Sequence, residues 1–131
     1  RLAGCPIVLI GTGTAAMWTL YASYLAQKDS VLKTILYGPL ASYSLLMETP
    51  NNKWNQQVIA PEILLKGDCP NIIKAMSPAP VMIIDPMRAC GTPINSCMAK
   101  SIFGDPFLKN LEIRWTHNSL HPVDHILEYL K

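Results

Sequence analysis

The apolar residues fall in short runs separated by stretches with a helical period. Residues 5–10 (CPIVLI) and the apolar start of residues 81–85 (VMIID) are unbroken runs, and this pattern predicts strands buried on both faces. Residues 31–37 and 111–115 predict two further strands. Residues 14–27 read as a helix, because Met17, Trp18, Tyr21, Ala22 and Leu25 recur at steps of three and four. That spacing places Trp18 on the core side of the helix, and Trp115 sits on a core strand.

The connections carry shorter helices. Residues 40–47, 60–66 and 71–76 predict one turn or two each, with Asp68 as a cap for the last. Residues 48–57 (ETPNNKWNQQ) are polar and turn-rich and predict an exposed connection, on which Trp54 would line a cleft or touch a partner. Pro78 and Pro80 bracket a turn. Residues 95–103 predict a helix capped near Thr92 and Pro93, and residues 123–130 predict the last helix. Strands alternating with helices imply parallel crossovers, hence an α/β fold with three αβα layers and a mostly parallel sheet.

Length and composition narrow this picture. A chain of 131 residues makes a single domain, residues 1–131, and half of it is hydrophobic with only 15% charged. So much apolar surface is hard to bury in a small domain, which implies that the remainder of a larger chain or another subunit packs against it. The chain opens close to a core strand, without initiator Met or signal-peptide pattern, as an excised piece would. A net charge of +2 with no basic run gives no footprint for nucleic acid, and no apolar stretch is long enough to span a membrane.

The chemistry concentrates on Gly11-Thr12-Gly13-Thr14-Ala15-Ala16, between a strand and a helix. Three readings compete. Gly11, Gly13 and Ala16 match a dinucleotide-binding loop, but the second strand ends in Leu36-Tyr37-Gly38 without the acid that would hold a ribose. Gly11-Thr12-Gly13-Thr14-Ala15 also matches the small-x-nucleophile-x-small pattern of a nucleophile elbow, with Gly13 at the nucleophile position. The third reading is a tight turn that glycines permit. Asp85 to Thr92 is similar to a phosphoribosyl-binding loop, with one acid and with Pro93 following directly. His117, His121 and His125 are four apart, but Pro122 interrupts the run, so no metal site is expected, and no cofactor. Cys5, Cys69, Cys90 and Cys97 form no CxxC pair and read as buried small side chains.

Several segments together resemble acetyl-xylan-esterase-like α/β hydrolases. Gly38-Pro39-Leu40-Ala41-Ser42-Tyr43 is similar to the stretch after that family's sixth strand. Ile59-Ala60-Pro61-Glu62-Ile63-Leu64-Leu65-Lys66-Gly67-Asp68 resembles its P-x-x-L-x-x-x-D stretch. Ile73-Lys74-Ala75-Met76-Ser77-Pro78-Ala79-Pro80-Val81 resembles the run into its seventh strand. The order holds over residues 5–130 and implies the C-terminal part of such a domain. It also implies a Ser-Asp/Glu-His triad. The nucleophile position falls on Gly13, with Thr12 and Thr14 as neighbouring hydroxyls. Asp85 is the acid, while Met87 and Arg88, which align better, cannot serve. His117 is the base, with His121 second. The resemblance implies a carbohydrate ester as substrate and a secreted or periplasmic setting. Two functions follow as expectations: a non-catalytic, hydrolase-like module of a larger protein, or an active esterase whose remaining parts lie outside this chain. A nucleotide- or phosphoribosyl-binding domain is a further alternative.

Overall fold

The computed structural model describes residues 7–26, 31–48, 50, 52–59, 67–116 and 121–131. Four strands, β1 (Ile7–Thr12), β2 (Val31–Tyr37), β3 (Val81–Ile84) and β4 (Leu111–Arg114), form one sheet in the order β1-β2-β3-β4. All three pairings are parallel. Among the described residues there are five α-helices: α1 (Thr14–Ala26), α2 (Ser44–Glu48), α3 (Cys69–Ala75), α4 (Ser96–Phe103) and α5 (Pro122–Leu130). The fold is therefore a small α/β fold with an all-parallel sheet. No helix among the described residues is long and apolar enough to cross a membrane.

Alternation along the strands sorts the core into two faces. Leu36, Val81, Ile83, Leu111 and Ile113 pack with Met17 and Leu20 of α1, Ile72 and Ile73 of α3, and Ala99 and Phe103 of α4. Ile35, Met82 and Ile84 point the other way and meet Ile126 and Tyr129 of α5, with Val8 of β1 beside them. The helices that link the strands thus share one face, and α5 covers the opposite one, giving the three expected layers. Each of β2 and β3 is buried on both faces, which explains their nearly unbroken apolar runs.

Caps fix the shorter helices. Asp68 caps α3 and forms a capping box with Asn71, as its position before the helix predicted. Asn95 caps α4 through Met98 N–H, replacing the expected cap near Thr92 and Pro93. Pro93 is instead held in an isolated bridge with Met87.

Other expectations need correction. The apolar period of α1 pointed to Met17, Trp18, Tyr21, Ala22 and Leu25, but the buried residues are Ala16, Met17, Leu20 and Ser23. Trp18 and Leu25 are 52% and 79% exposed. This helix is apolar nearly all round, so periodicity alone does not choose its buried face. The close approach at Gly11 does: a Cβ there would lie 2.7 Å from Ala16 Cα, so β1 and α1 meet backbone to backbone. The helix expected over residues 40–47 begins only at Ser44, because Leu40 bridges Met87 and residues 40–43 are drawn into the core. Trp54 is half-buried: its ring packs on the core and its indole N–H donates to Arg88 O at 3.0 Å. Cys69 is buried, Cys90 half-buried and Cys97 exposed, so only one of these three matches the buried reading. Cys5 and the helix expected over residues 60–66 lie outside the described residues.

Candidate functional site

In a parallel sheet all strands end at one edge, and loops that leave that edge gather there. Three backbone bonds level this edge. Gly13 N–H donates to Tyr37 O at 2.8 Å, Gly38 N–H to Ile84 O at 2.8 Å, and Asp85 N–H to Arg114 O at 2.9 Å. The residue following each of β1, β2 and β3 also has a left-handed backbone: Gly13 at φ 54°, Gly38 at φ 61° and Asp85 at φ 49°. The chain leaves three successive strands by the same kind of turn. Glycine takes this conformation freely, whereas Asp85 is the one non-glycine residue among those described to hold it.

Of the three positions that the resemblance would assign to a triad, Gly13 and Asp85 lie on this edge. Gly13 and Asp85 follow strands two apart, roughly 10 Å from one another by the usual strand spacing. A Cβ built on Gly13 would meet nothing within 4 Å. The position is open to a side chain and has none. Of the neighbouring hydroxyls, Thr12 ends β1 and is exposed, and Thr14 opens α1 and is half-buried. His117 lies outside the described residues.

Asp85 is 4% exposed, and among the described residues its carboxylate is held by one residue. Thr116 donates its N–H to Oδ1 at 2.9 Å and its hydroxyl to Oδ2 at 2.5 Å. Two carboxylate oxygens offer about four acceptor sites, so capacity remains for a further donor. Sequence reasoning missed Thr116. A threonine after a strand gives no signal of its partner when that partner lies in another strand-end turn.

The remaining candidates separate. His121 is exposed and caps α5, its Nδ1 accepting from Val123 N–H at 3.3 Å. His125 points inward and is buried, with no hydrogen-bond partner for either ring nitrogen among the described residues. No group of three His, Cys, Asp or Glu side chains suited to a metal ion occurs among the described residues. Three backbone donors of the turn from Asp85 to Thr92 are taken by main-chain carbonyls. Met87 N–H donates to Pro39 O, Arg88 N–H to Thr92 O, and Gly91 N–H to Arg88 O. Those three groups are therefore not turned toward a phosphate.

A second polar cluster lies under the turn after β2. Asp68 accepts from Tyr43 N–H at 2.7 Å, from Cys69 N–H at 2.6 Å and from the buried Ser42 hydroxyl. Burial alone would raise the Asp68 carboxyl, but these hydrogen bonds outweigh it and hold the group below the usual range. Nearby, the Tyr21 hydroxyl donates to Tyr43 Oη at 2.6 Å, and Tyr43 donates to Val58 O at 2.7 Å. Burial pushes the Tyr43 phenol up to about 12, against the opposing hydrogen bond from Tyr21. A cleft of about 490 Å³ opens beside Ser44, Asp68 and Ser101. The Asp68 oxygens are filled by the protein's own donors, so the cluster ties the turn after β2 to the start of α3. Comparison with protein-family models, curated proteins and solved structures finds no match, and the functional reading rests on this chain's own residues.

Proposed function

We propose that the chain is a non-catalytic, α/β-hydrolase-like module of a larger protein that keeps the architecture of a nucleophile turn without its nucleophile. The observation that carries this reading is Gly13. It has a left-handed φ of 54° at the sharp turn from β1 into α1, faces open space, and offers no atom to attack a substrate. The sequential parallel order β1-β2-β3-β4, with the linking helices on one face and α5 on the other, supports the hydrolase-like comparison. The resemblance along residues 5–130 supports a carbohydrate-esterase relationship.

A second reading has one observation in its favour. Asp85 is a buried, oriented carboxylate in a strained conformation at the edge where a triad acid belongs, and such strain clusters at functional sites. An active esterase would use Asp85 to orient His117 and would draw its nucleophile from Thr14 or from outside this chain.

Hydrolysis of p-nitrophenyl acetate separates the two. The non-catalytic module turns over no faster than buffer. Turnover that His117→Ala abolishes would overturn it. Gly13→Ser tests the scaffold: a gain of turnover that depends on His117 and Asp85 would mark the turn as a working elbow lacking only its hydroxyl.

A further inference from the structure

The cleft beside Asp68 is negatively charged. It has a volume of about 490 Å³, the size of a small-molecule site, and lies between α2, α3 and α4. Neither Gly13 nor Asp85 lines it. Among the described residues its ionisable lining groups are two carboxylates, Glu48 and Asp68, with no Lys, Arg or His. Lys74 stands one turn beyond Asn71 on α3, outside the lining, and Lys100 of α4 pairs with Asp105 at 3.1 Å.

The hydroxyl protons in the cleft wall run one way. Asp68 is held below the usual carboxyl range, so at neutral pH it is a carboxylate and only accepts. The Ser42 hydroxyl has one proton, which goes to Asp68. The hydrogen bond between the Ser42 and Ser44 hydroxyls, at 2.5 Å, is therefore donated by Ser44. Ser42 Oγ also accepts the Ser44 N–H at 3.2 Å. With its proton spent on the buried Ser42, the exposed Ser44 Oγ meets the cleft as an acceptor alone. Glu48, one turn along α2 on the same face, is exposed and has no ion pair among the described residues. Both groups call for a donor, and Glu48 for a positively charged one.

α4 supplies an apolar wall. Met98 and Ile102, one turn apart, are half-buried and packed against the core, and Leu45 of α2 adds a buried side chain. Ser101 is neutral, and Asn71 spends its Oδ1 on the Asp68 N–H at 3.1 Å. A bare metal ion fits this lining poorly, since it needs oxygen ligands all round and the free acceptors sit on α2 alone. A cationic head on a hydrocarbon stem matches both kinds of surface.

We propose that the cleft binds a primary alkylammonium group, whose N–H donors meet the Ser44 hydroxyl oxygen and the Glu48 carboxylate while its hydrocarbon stem lies on Met98 and Ile102. A free amine and a lysine side chain share this chemistry. The site goes beyond the non-catalytic reading and does not depend on it.

The test titrates the whole chain with n-pentylammonium, n-pentanol, pentanoate and Nα-acetyl-lysine methylamide, following backbone amide shifts by heteronuclear NMR. n-Pentylammonium is expected to move the amides of Ser44, Glu48 and Ser101 in a saturable way, and n-pentanol and pentanoate to bind about tenfold more weakly or not at all. Glu48→Gln should weaken the ammonium about tenfold, and Glu48→Lys, which brings its own cation, should abolish binding. Glu48 is exposed, and an amide spectrum unchanged away from the cleft verifies that each variant folds. Tighter binding of the lysine derivative assigns the site to a lysine side chain, and tighter binding of the free amine to a small molecule; both outcomes uphold the proposal. Equal binding of the three pentyl probes, binding untouched by both Glu48 variants, or no saturable shift with either ammonium probe would overturn it. No ester enters the experiment, so failure here is distinct from failure of the non-catalytic reading.

Discussion

Asp85 and Thr116 are joined twice across the strand-end edge, once through the Thr116 N–H and once through its hydroxyl. The pair links the turn after β3 to the turn after β4, and among the described residues Thr116 is the buried carboxylate's one hydrogen-bond partner. Thr116→Val removes the hydroxyl while keeping the shape. The loss of one charge-assisted hydrogen bond to a buried acceptor should cost about 2 kcal/mol. Asp85→Ala combined with Thr116→Val should cost less than the sum of the two single changes, by about 1 kcal/mol or more. Urea unfolding of the four proteins measures this; strictly additive changes would show that the hydrogen bond of the Thr116 hydroxyl contributes nothing to stability.

Two glycines in the same turn should respond differently to one methyl group. At Gly13 the added Cβ has room, and the expected cost is the left-handed backbone alone, about 1–2 kcal/mol. At Gly11 the Cβ would press on the backbone of Ala16 and on Thr19, so Gly11→Ala should cost about 3 kcal/mol or more. Thermal unfolding should rank Gly11→Ala below Gly13→Ala, and the reverse order would contradict the packing of β1 on α1.

Much of this organisation was legible in the sequence, and the failures share a cause. The limits of β2 and the capping role of Asp68 follow from local residues, because an apolar run between turns and a cap before a helix are short-range signals. The buried face of α1 was not legible: Trp18 and Leu25 satisfy a helical period as well as Leu20 does, and the contact at Gly11 decides among them. Leu40 was misread as helical because Met87, which holds it in an extended bridge, is remote in sequence. At the site, the turn at Gly13 was visible as a pattern. The hold of Thr116 on Asp85 was not, since it joins two loops with a helix and a strand between them.

Acid should loosen the turn after β2. Asp68 titrates below its ordinary value in the folded chain, because the hydrogen bonds from Ser42, Tyr43 and Cys69 outweigh the opposing effect of burial. A depressed folded value means that the unfolded chain binds a proton more readily. The stabilisation is therefore present above the ordinary carboxyl value near 4 and is lost as pH falls through the lower folded value. Asp68→Asn should flatten this part of the stability profile, measured by urea unfolding between about pH 2 and pH 6. An unchanged slope would remove Asp68 from the account.

The hydroxyls of Ser23 and Thr34 satisfy one another inside the core at 2.9 Å. Ser23→Ala should cost about 1–2 kcal/mol by leaving the Thr34 hydroxyl without that partner. Adding Thr34→Val removes the stranded group and should recover most of the loss. If the double variant unfolds at lower urea than either single variant, the two hydroxyls are not acting as a pair.

The single helix on the second face also sets how the molecule opens. α1, α3 and α4 share one layer, so loss of any one leaves neighbours in place. α5 has no companion there among the described residues, and its departure wets Ile35, Met82 and Ile84 together. Among the described elements α5 is then the one expected to open first: its amides should exchange with solvent together, through a partial opening that leaves the first layer intact.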